Sequence, residues 1–201
     1  NIDVFLNKII PSISTGNIRR LRSNIAEFTM FSAASANISF ILGLGNLLSA
    51  NSSACSTGTE SIILGVERIR QGLAKRMIVG SSEIASPYVW GCFDSMRVLC
   101  REFNDSPEQA SRPMSIRASG FVPAGGAGVL LLEEYETAIK RKAKIYAEII
   151  GTALNSGGQR KDGSMQAPGS QGVRQCLTQS IKDANIAPDE IDYFCGHLSS
   201  T

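Results

Sequence analysis

The residue best placed to do chemistry is a cysteine in the run Asn51-Ser-Ser-Ala-Cys-Ser-Thr-Gly-Thr-Glu60. A strand-like stretch, Leu47–Ser52, precedes it, and an amphipathic helix is expected over Ser61–Gln71. Cys55 thus falls where strand turns into helix. The unpaired N–H groups and positive dipole end of a helix favour thiolate over thiol. Ala54, Ser56 and Gly58 are small enough to allow a backbone kink and the approach of an acyl group to the sulfur. These features describe a nucleophile that accepts acyl groups, with a packed structural cysteine as the alternative. His197, the single histidine of the chain, is the second candidate. It follows a predicted last strand, Ile191–Cys195, at the end of a sheet where open α/β folds place their chemistry. A hydrogen-bonded structural histidine is its alternative. Arg19, Arg20 and Arg22 form a small basic cluster, which reads as a solvated face.

The elements that must position these residues follow from periodicity. Residues 1–23 are broken by Pro11 and Gly16 and carry no clear element. Asn24 is a candidate N-cap for a helix over Ile25–Leu42, with Ile25, Phe28, Phe31 and Ala34 at helical spacing. Gly43 and Gly45 end that helix. The helix after Cys55 sets Ile62, Ile63, Val66 and Ile69 on one face and Glu67, Arg68 and Arg70 on the other, and Gly72 stops it. Met77–Ser81 reads as a buried strand, so strand, helix and strand make a βαβ unit of a layered α/β fold. Residues 83–119 are irregular, with a short helix near Cys92–Leu99. The glycine-rich run Gly120–Gly128 opens a strand over Val129–Leu132. No Gly-Lys-Ser/Thr follows, so close strand packing explains the glycines better than phosphate binding. A helix over Glu133–Arg141, a strand over Ile145–Leu154, a polar glycine-rich loop over Asn155–Gly169 and a helix through Val173, Cys176, Leu177 and Ile181 complete the pattern. Cys176 lies on the apolar face of that helix.

Composition bounds the class. At 201 residues, 43% hydrophobic and net charge +2, the chain has enough apolar mass for a core and no charge excess that demands nucleic acid. No apolar run approaches the roughly 18 residues that a bilayer-spanning helix needs, and no secretory leader is recognisable. Five cysteines without a CxxC pair suggest neither a zinc site nor a disulfide framework, and fit a reducing cytoplasm. The absence of an initiator Met at Asn1 suggests a piece of a longer protein.

Together, several motifs resemble the β-ketoacyl-acyl-carrier-protein synthases of the thiolase fold. Ser52-Ser-Ala-Cys-Ser-Thr-Gly58 is similar to their nucleophile turn. Phe103–Pro113 is similar to the segment that leads to their Gly-Phe-Val, here Gly120-Phe121-Val122. Gly125–Glu134, Lys144–Gly151 and Gly196-His197 continue the series in order. The resemblance implies a thiolase-like layered α-β-α fold with a mixed, largely parallel sheet, incomplete in this chain. It implies that residues 1–201 are the central part of a synthase: the end of its N-terminal half and, near 145–201, the start of its C-terminal half. The implied reaction is decarboxylative Claisen condensation of an acyl thioester with malonyl-acyl-carrier protein through an acyl-cysteine intermediate, in fatty-acid or polyketide (polyene) synthesis. Catalysis falls to Cys55 and His197, pantetheine and substrate binding to Phe121, Ser199 and Thr201, and carrier docking to Arg19, Arg20 and Arg22. No cofactor and no metal are implied beyond the phosphopantetheine arm of the carrier protein. The implied partners are acyl carrier protein and a second subunit, in a homodimer or a ketosynthase-like heterodimer, without nucleic acid or membrane. Three departures stand out. His197-Leu198-Ser199 replaces the usual His-Gly-Thr, Ser115 and Ser119 stand where aspartates are common, and Arg97 stands where a glycine is usual. They favour a specialised synthase, and they leave open a non-catalytic, chain-length-factor-like partner subunit.

Overall fold

The computed structural model describes residues 2–157 and 169–201. In chain order the elements are α1 (Ile2–Val4), α2 (Ile10–Ser14), α3 (Ile25–Thr29), α4 (Ala33–Leu42), α5 (Thr57–Arg70), β1 (Arg76–Glu83), α6 (Pro87–Ser95), β2 (Gly126–Glu133), α7 (Tyr135–Lys140) and α8 (Ser170–Ala184). The chain divides into two compact units. One holds the residues up to Asn51 with Ser81–Gly128 and Gly196–Thr201; the other holds Ser52–Gly80 with the described part of Val129–Cys195.

In the first unit the N-terminal stretch is helical despite Pro11. A π-helical turn, Phe5–Ile9, joins α1 to α2, with the Ile10 N–H donating to the Phe5 carbonyl. The wider turn brings Pro11 into the first turn of α2, where a missing N–H costs least. The single helix expected over Ile25–Leu42 is instead two. Met30 is extended (φ −70°, ψ 143°), and the Thr29 hydroxyl donates back to the Ala26 carbonyl at 2.9 Å, a local bond that competes with helix continuation. Asn24 makes no side-chain cap. Gly43 ends α4 in the left-handed conformation, as expected (φ 61°, ψ 39°). α6 begins at Pro87, five residues ahead of the predicted short helix. Its N-cap residue, Ser86, is fully buried and donates to Asp3 Oδ1 at 3.0 Å, tying α6 to the N-terminal helix.

In the second unit α5 packs its Ile63–Val66 stripe inward, with Ile63, Gly65 and Val66 buried. A Cβ on Gly65 would lie 2.6 Å from Val79 Cγ1 on β1, so this helix–strand approach requires glycine. Arg68, expected on the solvated face, is half-buried. Gly151 is wedged against α8, where a Cβ would meet the Ser180 carbonyl oxygen at 2.4 Å.

β1 and β2 pair in a two-stranded sheet. The Glu134 N–H donates to the Lys75 carbonyl at one end and Gly125 lies against Ala85 at the other, so the pair runs antiparallel. A parallel bridge joins Leu99 to Phe121. No strand forms at 47–52, 145–154 or 191–195. A strand needs a ladder of backbone hydrogen bonds to a neighbouring strand, and among the described residues these three stretches form none. Their apolar side chains stay exposed, Tyr146 at 86% and Tyr193 at 81%. The loop expected over 155–169 lies, from residue 158 to 168, outside the described residues.

Candidate active site

Cys55 is exposed and sits in a 3₁₀ turn, Ala54–Ser56, that runs straight into α5. The expected kink is at Ala54, whose φ is +48°. Side chains that sequence reasoning did not single out hold the turn. Thr57 Oγ1 accepts the Ser53 N–H and donates to the Ala54 carbonyl, both at 2.8 Å. Ser53 Oγ donates to Glu60 Oε2 at 2.5 Å. The signal for these is the spacing Ser53-x₃-Thr57-x₂-Glu60, hydroxyls and a carboxylate one helical turn apart around a helix start. The result is a fixed bend with a thiol presented outward at the start of a 14-residue helix. That arrangement suits nucleophilic attack on an acyl thioester.

The other predicted site residues belong to the first unit. His197 and Thr201 are exposed, and Phe121 and Ser199 are half-buried. Phe121 packs edge-on against Phe93 of α6, ring centroids 5.2 Å apart at 79°. Its backbone is pinned by bonds to Val98 and Cys100. Ser199 Oγ and Thr201 Oγ1 are 2.6 Å apart. The segment carrying them is joined to Phe121 through its neighbour, because the Gly120 N–H donates to the Ser200 carbonyl at 2.9 Å. The tip that carries His197 does not extend a buried strand, because 191–195 is exposed and unpaired in a ladder.

The departures resolve unevenly. Leu198, standing in for glycine, is absent from the residues with positive φ, so it carries no left-handed strain. Arg97 does, at φ +59°, as does Ser200 at +68°. Ser119 lies 3.1 Å from Cys100 Sγ, and Ser115 Oγ accepts the Arg117 N–H. The Ser115 hydroxyl serves a local turn, and that of Ser119 links two segments of the first unit.

Arg19, Arg20 and Arg22 are all exposed. Arg22 lines a surface recess of about 360 Å³ together with Val4, Lys8, Asn24, Ile25 and Phe28. Lys8 and Arg22 also line an adjoining recess, with Arg20. Lys8 is therefore a further member of the basic cluster. It is too far back in the sequence to be read with the arginines, and only the N-terminal helix brings it there. Among the described residues no helix is long and apolar enough to cross a membrane.

Residues 10–138 match the family described as Beta-ketoacyl synthase, N-terminal domain, and residues 146–201 match Beta-ketoacyl synthase, C-terminal domain. The 3-oxoacyl-[acyl-carrier-protein] synthase I, chloroplastic, of Arabidopsis thaliana is 34% identical across all of this chain and 42% of its own length. The 3-oxoacyl-[acyl-carrier-protein] synthase 2 of Coxiella burnetii is 35% identical across 96% of this chain and 44% of its own. The chain therefore spans less than half the length of these curated relatives. Among solved structures, a beta-ketoacyl synthase from Burkholderia phymatum superposes with a TM-score of 0.86 at 27% identity, over 98% of this chain and 47% of that one. A type II PKS ketosynthase, solved with its acyl-carrier protein and bound to a hexaketide, gives 0.81 at 31% identity, over 92% of this chain and 45% of that one. The layered α-β-α thiolase architecture expected from the sequence is thus the one this chain shares, in part, with its neighbours.

Proposed function

Because the chain belongs to the β-ketoacyl synthase family, we propose that it carries the acylation site of an acyltransferase that performs decarboxylative Claisen condensation. In this reading Cys55 Sγ attacks an acyl thioester, the carrier or coenzyme thiol leaves, and an acyl-cysteine forms. A malonyl thioester then loses CO₂, with His197 donating a hydrogen bond to the thioester oxygen on which enolate charge develops. The carbanion attacks the acyl-Cys55 carbonyl, expelling the thiolate and lengthening the chain by two carbons. Phe121, Ser199 and Thr201 receive the acyl-pantetheine arm, and Arg19, Arg20 and Arg22, joined by Lys8, dock the acidic carrier protein. The carrier's phosphopantetheine is the only prosthetic group this chemistry calls for. Residues 145–201 open the C-terminal half of the synthase, and the protein works in the cytoplasm as a homodimer or heterodimer.

The observation that supports the reading most is the exposed Cys55 on its braced turn ahead of α5. In the full-length protein a thiol alkylator should modify Cys55 first and stop condensation in step with labelling. Condensation that survives complete modification of Cys55, or survives Cys55→Ala, rejects the reading. One observation favours a second reading, a non-catalytic partner subunit: Leu198-Ser199 in place of the family's Gly-Thr. The presence of Cys55 weighs against it. Decarboxylation of a malonyl thioester by the purified full-length protein alone distinguishes the two, since a partner subunit would show none.

A further inference from the structure

We propose that Ser200, whose own side chain is buried, is a positioning residue for pantetheine recognition; the role rests on the reading of Ser199 and Thr201 given above. Ser200 is 3% exposed, and its φ of +68° places a serine in the left-handed region, where non-glycine residues are uncommon and strained. Two hydrogen bonds hold it there. Its Oγ accepts the Arg112 N–H at 3.1 Å, and its carbonyl accepts the Gly120 N–H at 2.9 Å.

Neither donor is free to follow if Ser200 shifts. Gly120 is itself left-handed (φ +125°), and a Cβ on it would lie 2.4 Å from the Leu99 carbonyl carbon, so this backbone is in contact with 98–100. Arg112 is fixed by its own side chain, with the guanidinium 3.9 Å over the Phe103 ring and Nε donating to the Gln109 carbonyl at 2.6 Å. A strained residue persists when its surroundings over-determine it, and here both anchors are built into the unit. With the Ser200 side chain turned inward, the flanking Ser199 and Thr201 are left at the surface with their hydroxyls 2.6 Å apart. The same link to Gly120 ties that pair to Phe121. The segment carrying the hydroxyl pair and the backbone of Phe121 are thereby held in one register through the Ser200–Gly120 hydrogen bond. Two hydroxyls held side by side suit recognition of the amide-bearing arm of a pantetheine thioester.

The test measures Cys55 acylation in the full-length protein by intact mass, comparing an acyl-pantetheine thioester with the same acyl group on ethanethiol. Ser200→Gly removes the hydroxyl while suiting the left-handed backbone, so it separates positioning from folding; Ser200→Ala is its companion. The expected result is an acyl-pantetheine rate about tenfold lower, as for loss of one buried hydrogen bond. The ethanethiol thioester and iodoacetamide labelling should stay within about twofold of wild type. If Ser200→Gly keeps the wild-type ratio, or slows both thioesters alike, the positioning role is overturned. Ser199→Ala and Thr201→Ala serve as the reference. If they too leave the ratio unchanged, the pantetheine-binding reading falls with it; if they collapse it while Ser200→Gly does not, the positioning role falls alone.

Discussion

At the scale of single residues, backbone strain falls on one of the two positions where this chain replaces a glycine usual in its family. Arg97 holds a left-handed φ of +59° where a glycine is usual, whereas Leu198, the other replaced glycine, does not. Arg97→Gly should therefore raise stability by about 1 kcal/mol by removing the Cβ clash of that conformation, and Leu198→Gly should not stabilise. Urea unfolding midpoints of the two variants check this, and a gain at Leu198 equal to that at Arg97 would contradict it. Cys55 sits just after another left-handed residue, Ala54, in a turn whose bracing comes from Ser53, Thr57 and Glu60. Thr57→Val keeps the shape but removes both the acceptor and the donor. It should slow Cys55 acylation severalfold while leaving α5 folded, as read by far-ultraviolet circular dichroism.

At the scale of elements, the second unit is tied by ion pairs between segments distant in sequence. Glu133 at the end of β2 bonds Arg141 and Arg76. The Arg141 and then the Arg76 hydrogen bonds hold its carboxyl at about 2, below its ordinary 4.5. A carboxyl with a lowered folded-state value stabilises fully above the unfolded value and loses that contribution as pH falls toward the folded one. Stability should thus decline from about pH 4.5 toward pH 2, and Glu133→Gln should flatten that part of the curve; unfolding midpoints at pH 6, 4.5 and 3 make the comparison. Gly151→Ala, which would force a Cβ to 2.4 Å from the Ser180 carbonyl oxygen, should cost about 1–3 kcal/mol. The helices were legible in the sequence because an apolar stripe and a stop signal are local: α5, α7 and α8 form where periodicity places them, and Gly43 and Gly72 end helices with positive φ. The stretches 47–52, 145–154 and 191–195 have strand-like side chains and no strand. A residue pattern records which face an element would bury and not whether a neighbour supplies the hydrogen bonds. The break at Met30 and the helix across Pro11 were hidden for a related reason, since each turns on a single local hydrogen-bond choice. The candidate nucleophile, Cys55, and the proposed pantetheine hydroxyls of Ser199 and Thr201 could be picked out by residue type and motif. Their supports, Ser53, Thr57, Glu60 and Ser200, could not, because their roles rest on hydrogen bonds that only the folded chain brings together.

At the scale of the whole molecule, the exposed cations Lys8, Arg19, Arg20 and Arg22 gather on one region of the first unit. Reversing the charge of the three arginines should raise KM for a carrier-borne acyl substrate by about tenfold at low salt, with much less effect on a small acyl thioester. Equal effects on both would count against docking. The chain spans 42% and 44% of two curated relatives, so acyl transfer to the Cys55 sulfur is the step of the proposed reaction that can be asked of this stretch directly. The most direct measurement is the intact mass of the full-length protein after incubation with an acyl-carrier thioester, followed by peptide mapping. The account predicts one added acyl group, located on Cys55 and absent from Cys55→Ala. An unmodified protein, or an acyl group that persists in Cys55→Ala, would contradict it.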